Sequence, residues 1–173
     1  SAVILIVPSS IIITVPSSVN KIGDKAFNHS GIPCILFDSK TPATIGSSVV
    51  NTKQIMGVYN VDAYIEAWPE YETNLAARDK VANPEVTISA LPNKSALLEA
   101  IGAESTEKVC RLKINGTINS YDIMVLRNRM PKLVELDLAD ASIVANAYEY
   151  TSGRCSKNDT LTREAFTGTG TII

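Results

Sequence analysis

The chain holds one histidine, His29, with Ser30 beside it and Asp24 shortly before it, the three side-chain types from which a hydrolase builds a base, a nucleophile and an orienting carboxylate. Geometry defines such a triad, so composition alone makes the trio a candidate. Its setting argues the other way. These residues fall in what reads as a surface turn after Ala26-Phe27, and no Gly-x-Ser-x-Gly elbow surrounds any serine. Gly168-Thr169-Gly170 lacks the third glycine and the following helix of a phosphate cradle. Carboxylates are widely spread, with no D-x-D-x-D-G loop and no histidine-containing ligand cluster. Asp137, Asp140 and Asp159 meeting in the fold is one reading, and separate solvated roles are the favoured one. No catalytic residue, metal or cofactor is expected.

Cys34, Cys110 and Cys155 stand singly without C-x-x-C spacing, which argues against zinc ribbons and redox pairs, and an odd number cannot pair completely. Cys34 and Cys110 read as small core hydrophobes on strands. A Cys110–Cys155 disulfide is the alternative. Tyr148-Glu149-Tyr150 reads either as an aromatic contact surface or as a loop folding back on the protein.

With 173 residues, 45% hydrophobic and 20% charged, the chain can bury a core as one domain or two. A formal net charge of -2 leaves no excess of Lys and Arg to replace phosphate counterions, so nucleic acid is not an expected partner. The most apolar run, Ala2 to Val7, is too short to span a bilayer and has no cationic flank with a cleavage site. The expectation is a chain without its own export signal or anchor and without direct membrane insertion.

The elements that would position any site repeat. Ile13 answers to Leu36, Ile22-Gly23 to Ile45-Gly46, and Ala26-Phe27 to Val49-Val50, always at the same spacing, a solenoid period of about 23 residues. A unit so short cannot enclose a core alone and must stack on neighbours. Ile11 to Val15 is β-branched throughout and stopped by Pro16-Ser17-Ser18, a strand signal. The same shift sets Cys34, Leu36 and Asp38 beneath Ile11, Ile13 and Val15, with Ile35 and Phe37 beneath Ile12 and Thr14. Val7-Pro8-Ser9-Ser10 recurs as Val15-Pro16-Ser17-Ser18, too close for a full turn of a solenoid, so Val3 to Val7 reads as a frayed strand or hairpin arm.

From Asn60 to Trp68 the pattern turns helical, with Asn60 or Asp62 as cap, Tyr64 and Trp68 on one face and Pro69 as the stop. Such a helix would close the stack. Glu70 to Asn83 is polar and alanine-rich, and Asn83-Pro84 marks a boundary between domains 1–83 and 84–173. Beyond it, Ser95 caps a helix carrying Leu97, Leu98 and Ile101 and ended by Gly102. Next come a strand from Val109 to Ile114 and a helix capped by Asn119 or Ser120 with Ile123, Leu126 and Met130 inward. A strand from Leu133 to Leu138 then follows one period of about 24 residues after the first, completing a right-handed parallel β-α-β coil.

Leu133-x-x-Leu136-x-Leu138-x-x-Ala141-x-Ile143 matches the leucine-rich-repeat pattern. Pro16-Ser17-Ser18-Val19-Asn20-Lys21-Ile22-Gly23-Asp24-Lys25-Ala26-Phe27 resembles the repeat of the BspA-like bacterial surface antigens. Thr41-Pro42-Ala43-Thr44-Ile45-Gly46, with Val61-Asp62-Ala63-Tyr64 and Ala67-Trp68, is similar to the segment that closes an array in that family. Leu112 to Asn119, Asp122-Ile123 and Leu136 to Ala141 are similar to the part that opens one, and Leu161-Thr162-Arg163-Glu164-Ala165-Phe166 to a first repeat. Gly31-Ile32-Pro33 and Thr162 depart from the pattern, which normally carries leucine spacing and glycine there. The resemblance implies an α/β leucine-rich-repeat solenoid in two halves, the end of one array joined to the start of another. It also implies export to the extracellular or outer-membrane surface of a Bacteroidetes-type cell.

The register narrows the candidate contacts. Arg111 and Lys113 point outward from one strand, with Glu135 and Asp137 beside them on the next. A ladder that neutralises itself and fixes register is the favoured reading, and ligand contact the alternative. Ile12, Ile35 and Phe37 would form an exposed apolar strip on the corresponding face of the first half. With the resemblance, these seven residues point to a non-enzymatic surface segment that binds protein or glycan in adhesion. A structural spacer between arrays is the alternative, and a hydrolase using His29 a third. The oligomeric state is left open.

Overall fold

Short β-branched runs punctuated by proline and serine become strands here, and the loop lengths between them decide which faces meet. The computed structural model describes residues 3–5, 12–82, 84–162 and 165–166. The structure is mixed α/β, with parallel sheets and short helices. Strand β1, Val3–Leu5, opens the chain. Residues Ser9–Asn83 form one compact unit, and Pro84–Ile173 with Ser1–Pro8 form the other. Gly168, Thr169 and Gly170 lie outside the described residues, as do Ile6 to Ile11, Arg163 and Glu164.

The first unit carries β2 (Ile12–Val15), β3 (Lys21–Ile22), β4 (Cys34–Phe37), β5 (Thr44–Ile45) and β6 (Ile55–Val58). Helix α1 (Val61–Ala67), a 3-10 turn (Pro69–Asn74), β7 (Leu75–Ala77) and helix α2 (Arg78–Ala82) complete it. One parallel sheet runs β2-β4-β6-β7, and β3 pairs with β5 in a second. The strand register corrects the sequence expectation by a single position: Ile12 lies opposite Cys34, Ile13 opposite Ile35 and Val15 opposite Phe37. The longer period does hold between β3 and β5, where Ile22 faces Ile45. The path from strand to return is one position longer in the second rung, and that extra residue restores the longer period after the strands have paired.

A one-residue slip exchanges the faces of a strand. Ile35 and Phe37 therefore share the core face with Ile13 and Val15, and α1 covers that face. Phe37, Tyr64 and Trp68 pack with ring centroids 4.7 to 5.9 Å apart, and Trp68 Nε1 donates to Ala43 O at 3.0 Å. Asn60 caps α1 by accepting from Ala63 N. The opposite face is closed as well. A Cβ added at Gly57 would lie 2.8 Å from Leu36 Cδ2 and 3.6 Å from Val81 Cβ, so the bare glycine is what lets α2 approach the sheet. β4 and β6 are consequently buried along their whole length.

An asparagine ladder braces the returns at the longer period. Asn51 Nδ2 donates to Asn28 O, and Asn74 Nδ2 to Asn51 O and to Gln54 O. Each amide satisfies a carbonyl of the preceding turn that has no strand partner. Asp24 serves the same stack at the surface: its Oδ1 accepts from Ser47 N at 2.7 Å, and this bond foremost holds its carboxyl below the ordinary 3.8.

The second unit contains β8 (Glu85–Ile88), α3 (Ala96–Ile101), α4 (Ala103–Thr106), β9 (Arg111–Ile118), α5 (Ser120–Arg129), β10 (Glu135–Asp137) and β11 (Ala141–Ile143). β9 is central. It pairs with β8 along one side, and with β10 and then β11 along the other, all parallel. β1 lies antiparallel on β10, with Ile4 opposite Leu136, so the opening strand joins this unit. Leu97, Ile114, Ile118, Leu126 and Leu136 form the centre of the core. Asn119 caps α5 with Asp122 as its reciprocal partner, and Ser95 caps α3.

Gly116 marks the point at which β9 leaves β10 for β11. Its φ is +93°, and an added Cβ would sit 2.2 Å from Ile88 O on β8. Gly116→Ala is expected to cost about 2 kcal/mol or more, because a strained backbone angle and a displaced strand act together. Urea unfolding of the variant measures the cost, and faster amide exchange along β8 would locate it.

Candidate functional site

His29 is exposed on the turn that also carries Asp24. Ser30 Oγ donates to Phe27 O at 2.7 Å, and Asp24 Oδ1 is occupied by Ser47 N and Oγ. Among the described residues no nucleophile-to-base contact forms at His29. No group of three or more His, Cys, Asp or Glu side chains among them is placed to hold a metal ion. Cys34 and Cys110 are buried and Cys155 half-buried, and the Cys110–Cys155 disulfide is not formed. Tyr148-Glu149-Tyr150 divides between its two readings. Tyr150 turns into a small core with Ile123 and Ala165, while Tyr148 stays exposed with its ring stacked 4.0 Å from that of Tyr121.

The apolar strip expected from Ile12, Ile35 and Phe37 does not exist as an open face. Ile35 is 0% exposed and Phe37 2%, and half-buried Ile12 lies over Cys34 on the opposite side of the sheet. The single-position register difference accounts for this, and α2 closes the other face.

The charged strand face of the second unit does assemble. Glu135 lies opposite Arg111 and Asp137 opposite Lys113, the pairing that the sequence period sets. Leu112, Ile114 and Leu136 alternate inward, leaving Arg111, Lys113, Asn115, Glu135 and Asp137 half-exposed on one face. Arg111 Nε is 3.2 Å from Glu135 Oε2. Lys113 chooses other partners than its strand neighbour: Nζ is 2.9 Å from Asp140 Oδ2 and 3.6 Å from Glu85 Oε1. Asn115 Nδ2 donates to the same Glu85 carboxylate at 2.8 Å. Glu85, Asn115 and Asp140 are the members that sequence reading did not place on this face. The missing signal was the β8 register, which sets Glu85 opposite Lys113 across a stretch of chain holding both α3 and α4.

No family model matches the chain, and no curated protein matches it. Among the described residues no helix is long and apolar enough to cross a membrane.

Lys113 gives the face a measurable signature. The hydrogen bond to Asp140 raises its ammonium above the ordinary 10.5, aided by the charges of Asp140, Glu85 and Asp137. A raised folded-state value stabilises the fold at pH below 10.5, and this contribution is lost as pH climbs through the higher folded value. An NMR titration of the Lys113 side chain is expected to show its midpoint above 10.5, and Asp140→Asn to lower it.

Proposed function

We propose that the chain is a non-enzymatic segment of a leucine-rich-repeat surface protein of the BspA-like kind, and that it binds protein or glycan through the strand face of residues 84–173. One observation carries the reading: β8, β9 and β10 hold Glu85, Arg111, Lys113, Glu135 and Asp137 in register on a half-exposed sheet face over an apolar core. The near-constant offset between parallel strands, the asparagine ladder and the capping helix after the last long rung support the repeat architecture. Adhesion at the outer surface of a Bacteroidetes-type cell follows from the sequence resemblance. Screening the full chain against matrix proteins and a glycan array tests the reading. Binding should appear and be lost in Arg111→Glu and Asp137→Lys chains whose circular dichroism is unchanged. Binding that survives both changes would place the contact elsewhere.

A second reading applies to residues 9–83. Both faces of the sheet are covered along β4 and β6, so these central strands offer no open face among the described residues, which suits a spacer. Deleting this unit from a longer adhesive protein would then leave attachment intact.

A further inference from the structure

One segment of the sequence occurs twice at the start of the chain. Val7-Pro8-Ser9-Ser10 recurs as Val15-Pro16-Ser17-Ser18, each time after an apolar run with strand character. The second run is built into the first unit, where β2 lies parallel on β4. The first run supplies β1, and β1 goes elsewhere: it pairs with β10 of the second unit, with Val3 opposite Asp137 and Leu5 opposite Glu135. β8, β9, β10 and β11 are joined in parallel, so β1 is the one antiparallel strand of this sheet among the described residues. It is a strand added to an edge rather than a rung of the coil, and an edge accepts such a strand through main-chain hydrogen bonds.

The main chain of β10 shows what that edge offers. Glu135 N donates to Cys110 O on the β9 side, and successive residues of a strand turn their N–H and C=O groups to opposite sides. Leu136 therefore directs both groups away from β9 and toward Ile4, which lies opposite it, and the two residues form the pair that exchanges both hydrogen bonds. The occupant reaches this site by a long route. Nearly the whole chain separates Ile4 from Leu136, and from Ser9 onward the chain belongs to the other compact unit. A terminal strand that completes a unit remote in sequence can complete the same unit of another copy with the same bonds. Covalent connection favours the chain's own strand through its effective concentration, and a high concentration of copies offsets that preference.

We propose that the outer edge of β10 is a strand-acceptor site whose exchange partner is the opening strand of a second copy of this chain, so that copies join through a swapped β1. The site consists of main-chain groups at a sheet edge, and it stands independently of the charged face.

A fluorescein-labelled peptide of residues 1–10, titrated against the full chain by anisotropy, tests the proposal together with sedimentation of the full chain alone. The peptide should bind saturably, and the same peptide with Ile4→Pro, which lacks the N–H that faces Leu136, should not. In the full chain Ile4→Pro should empty the edge. The native peptide should then bind about tenfold or more tightly, the Leu136 amide should exchange faster, and added peptide should slow it again. The native chain should associate as its concentration rises to the millimolar range, and the Ile4→Pro chain, which has no strand to give, should stay monomeric. A native chain that is monomeric throughout, or one whose association is unchanged by Ile4→Pro, overturns the proposal. So does a native peptide that binds no better than its proline form. The peptide pair and the sedimentation of the native chain decide the matter even where Ile4→Pro disturbs the fold.

Discussion

Asp122→Ala is expected to destabilise the 84–173 unit by about 3 to 5 kcal/mol, because a single fully buried carboxylate ties together the starts of two helices. Its Oδ1 accepts from Ser95 Oγ at 2.7 Å and from Leu97 N at 2.9 Å, at the head of α3. Its Oδ2 accepts from Asn119 N at 3.1 Å, at the head of α5. Four amides at each helix start lack intrahelical partners, and here one anion serves both ends while favouring their dipoles. Alanine would remove the anion and leave two buried amides and a hydroxyl without an acceptor. Asn keeps the shape but turns a donor toward donors, so Asp122→Asn should cost less, about 1 to 3 kcal/mol. Urea denaturation measures the difference, and hydrogen exchange gives the location: the Leu97 and Asn119 amides should exchange faster in both variants. Unchanged exchange at these amides would show that the carboxylate does not bear the helix starts.

The sequence shows half of this arrangement directly. Ser95 and Asn119 are legible as caps because serine and asparagine before an apolar period have a local mechanism. Asp122 as the shared acceptor is not legible, since Ser95 and Asp122 meet only once the intervening strand has returned the chain. The same division runs through the binding face. Arg111, Lys113, Glu135 and Asp137 follow from a clean repeat between two strands joined by one helix. Glu85 does not, because two short helices and a loop separate β8 from β9 and no repeat signals the pairing. In the first unit the period itself misleads. Ile22 and Ile45 do pair at the spacing that the sequence echoes, but β2 and β4 pair one position short of it, and no local signal shows which stretch of the rung carries the extra residue. The strands β6 and β7 escape notice for a different reason. Ile-Met-Gly-Val has a glycine inside it and no alternation, Leu-Ala-Ala has no β-branched residue, and the two become strands by stacking in parallel from β4 onward and against α2. Asn28, Asn51 and Asn74 recur at the same spacing as Ile22 and Ile45, and this polar echo was available to sequence reading alongside the apolar one.

Phe37→Ala separates the two accounts of the first unit by a large margin. On an open apolar strip the change would leave folding nearly untouched and act on a partner. In the structure Phe37 is 2% exposed, with its ring 5.5 Å from that of Trp68 and 5.9 Å from that of Tyr64. Truncation removes a packed ring that α1 cannot follow inward, since Tyr64 Oη is held near Ser39 O and Trp68 Nε1 by Ala43 O. The expected cost is about 3 to 5 kcal/mol, falling to about 1 to 2 for Phe37→Leu, which restores much of the volume. Trp68 is the only tryptophan in the chain, so its fluorescence reports on this site alone. In the alanine variant its emission should shift to the red and its unfolding midpoint should fall, with the leucine variant intermediate. Emission and midpoint both unchanged in Phe37→Ala would restore the open strip. The consequence for function is direct. Lost adhesion in a Phe37→Ala protein would report a loosened core rather than a broken contact, so the choice between binder and spacer has to be made with Arg111→Glu and Asp137→Lys, whose side chains face outward over an intact core.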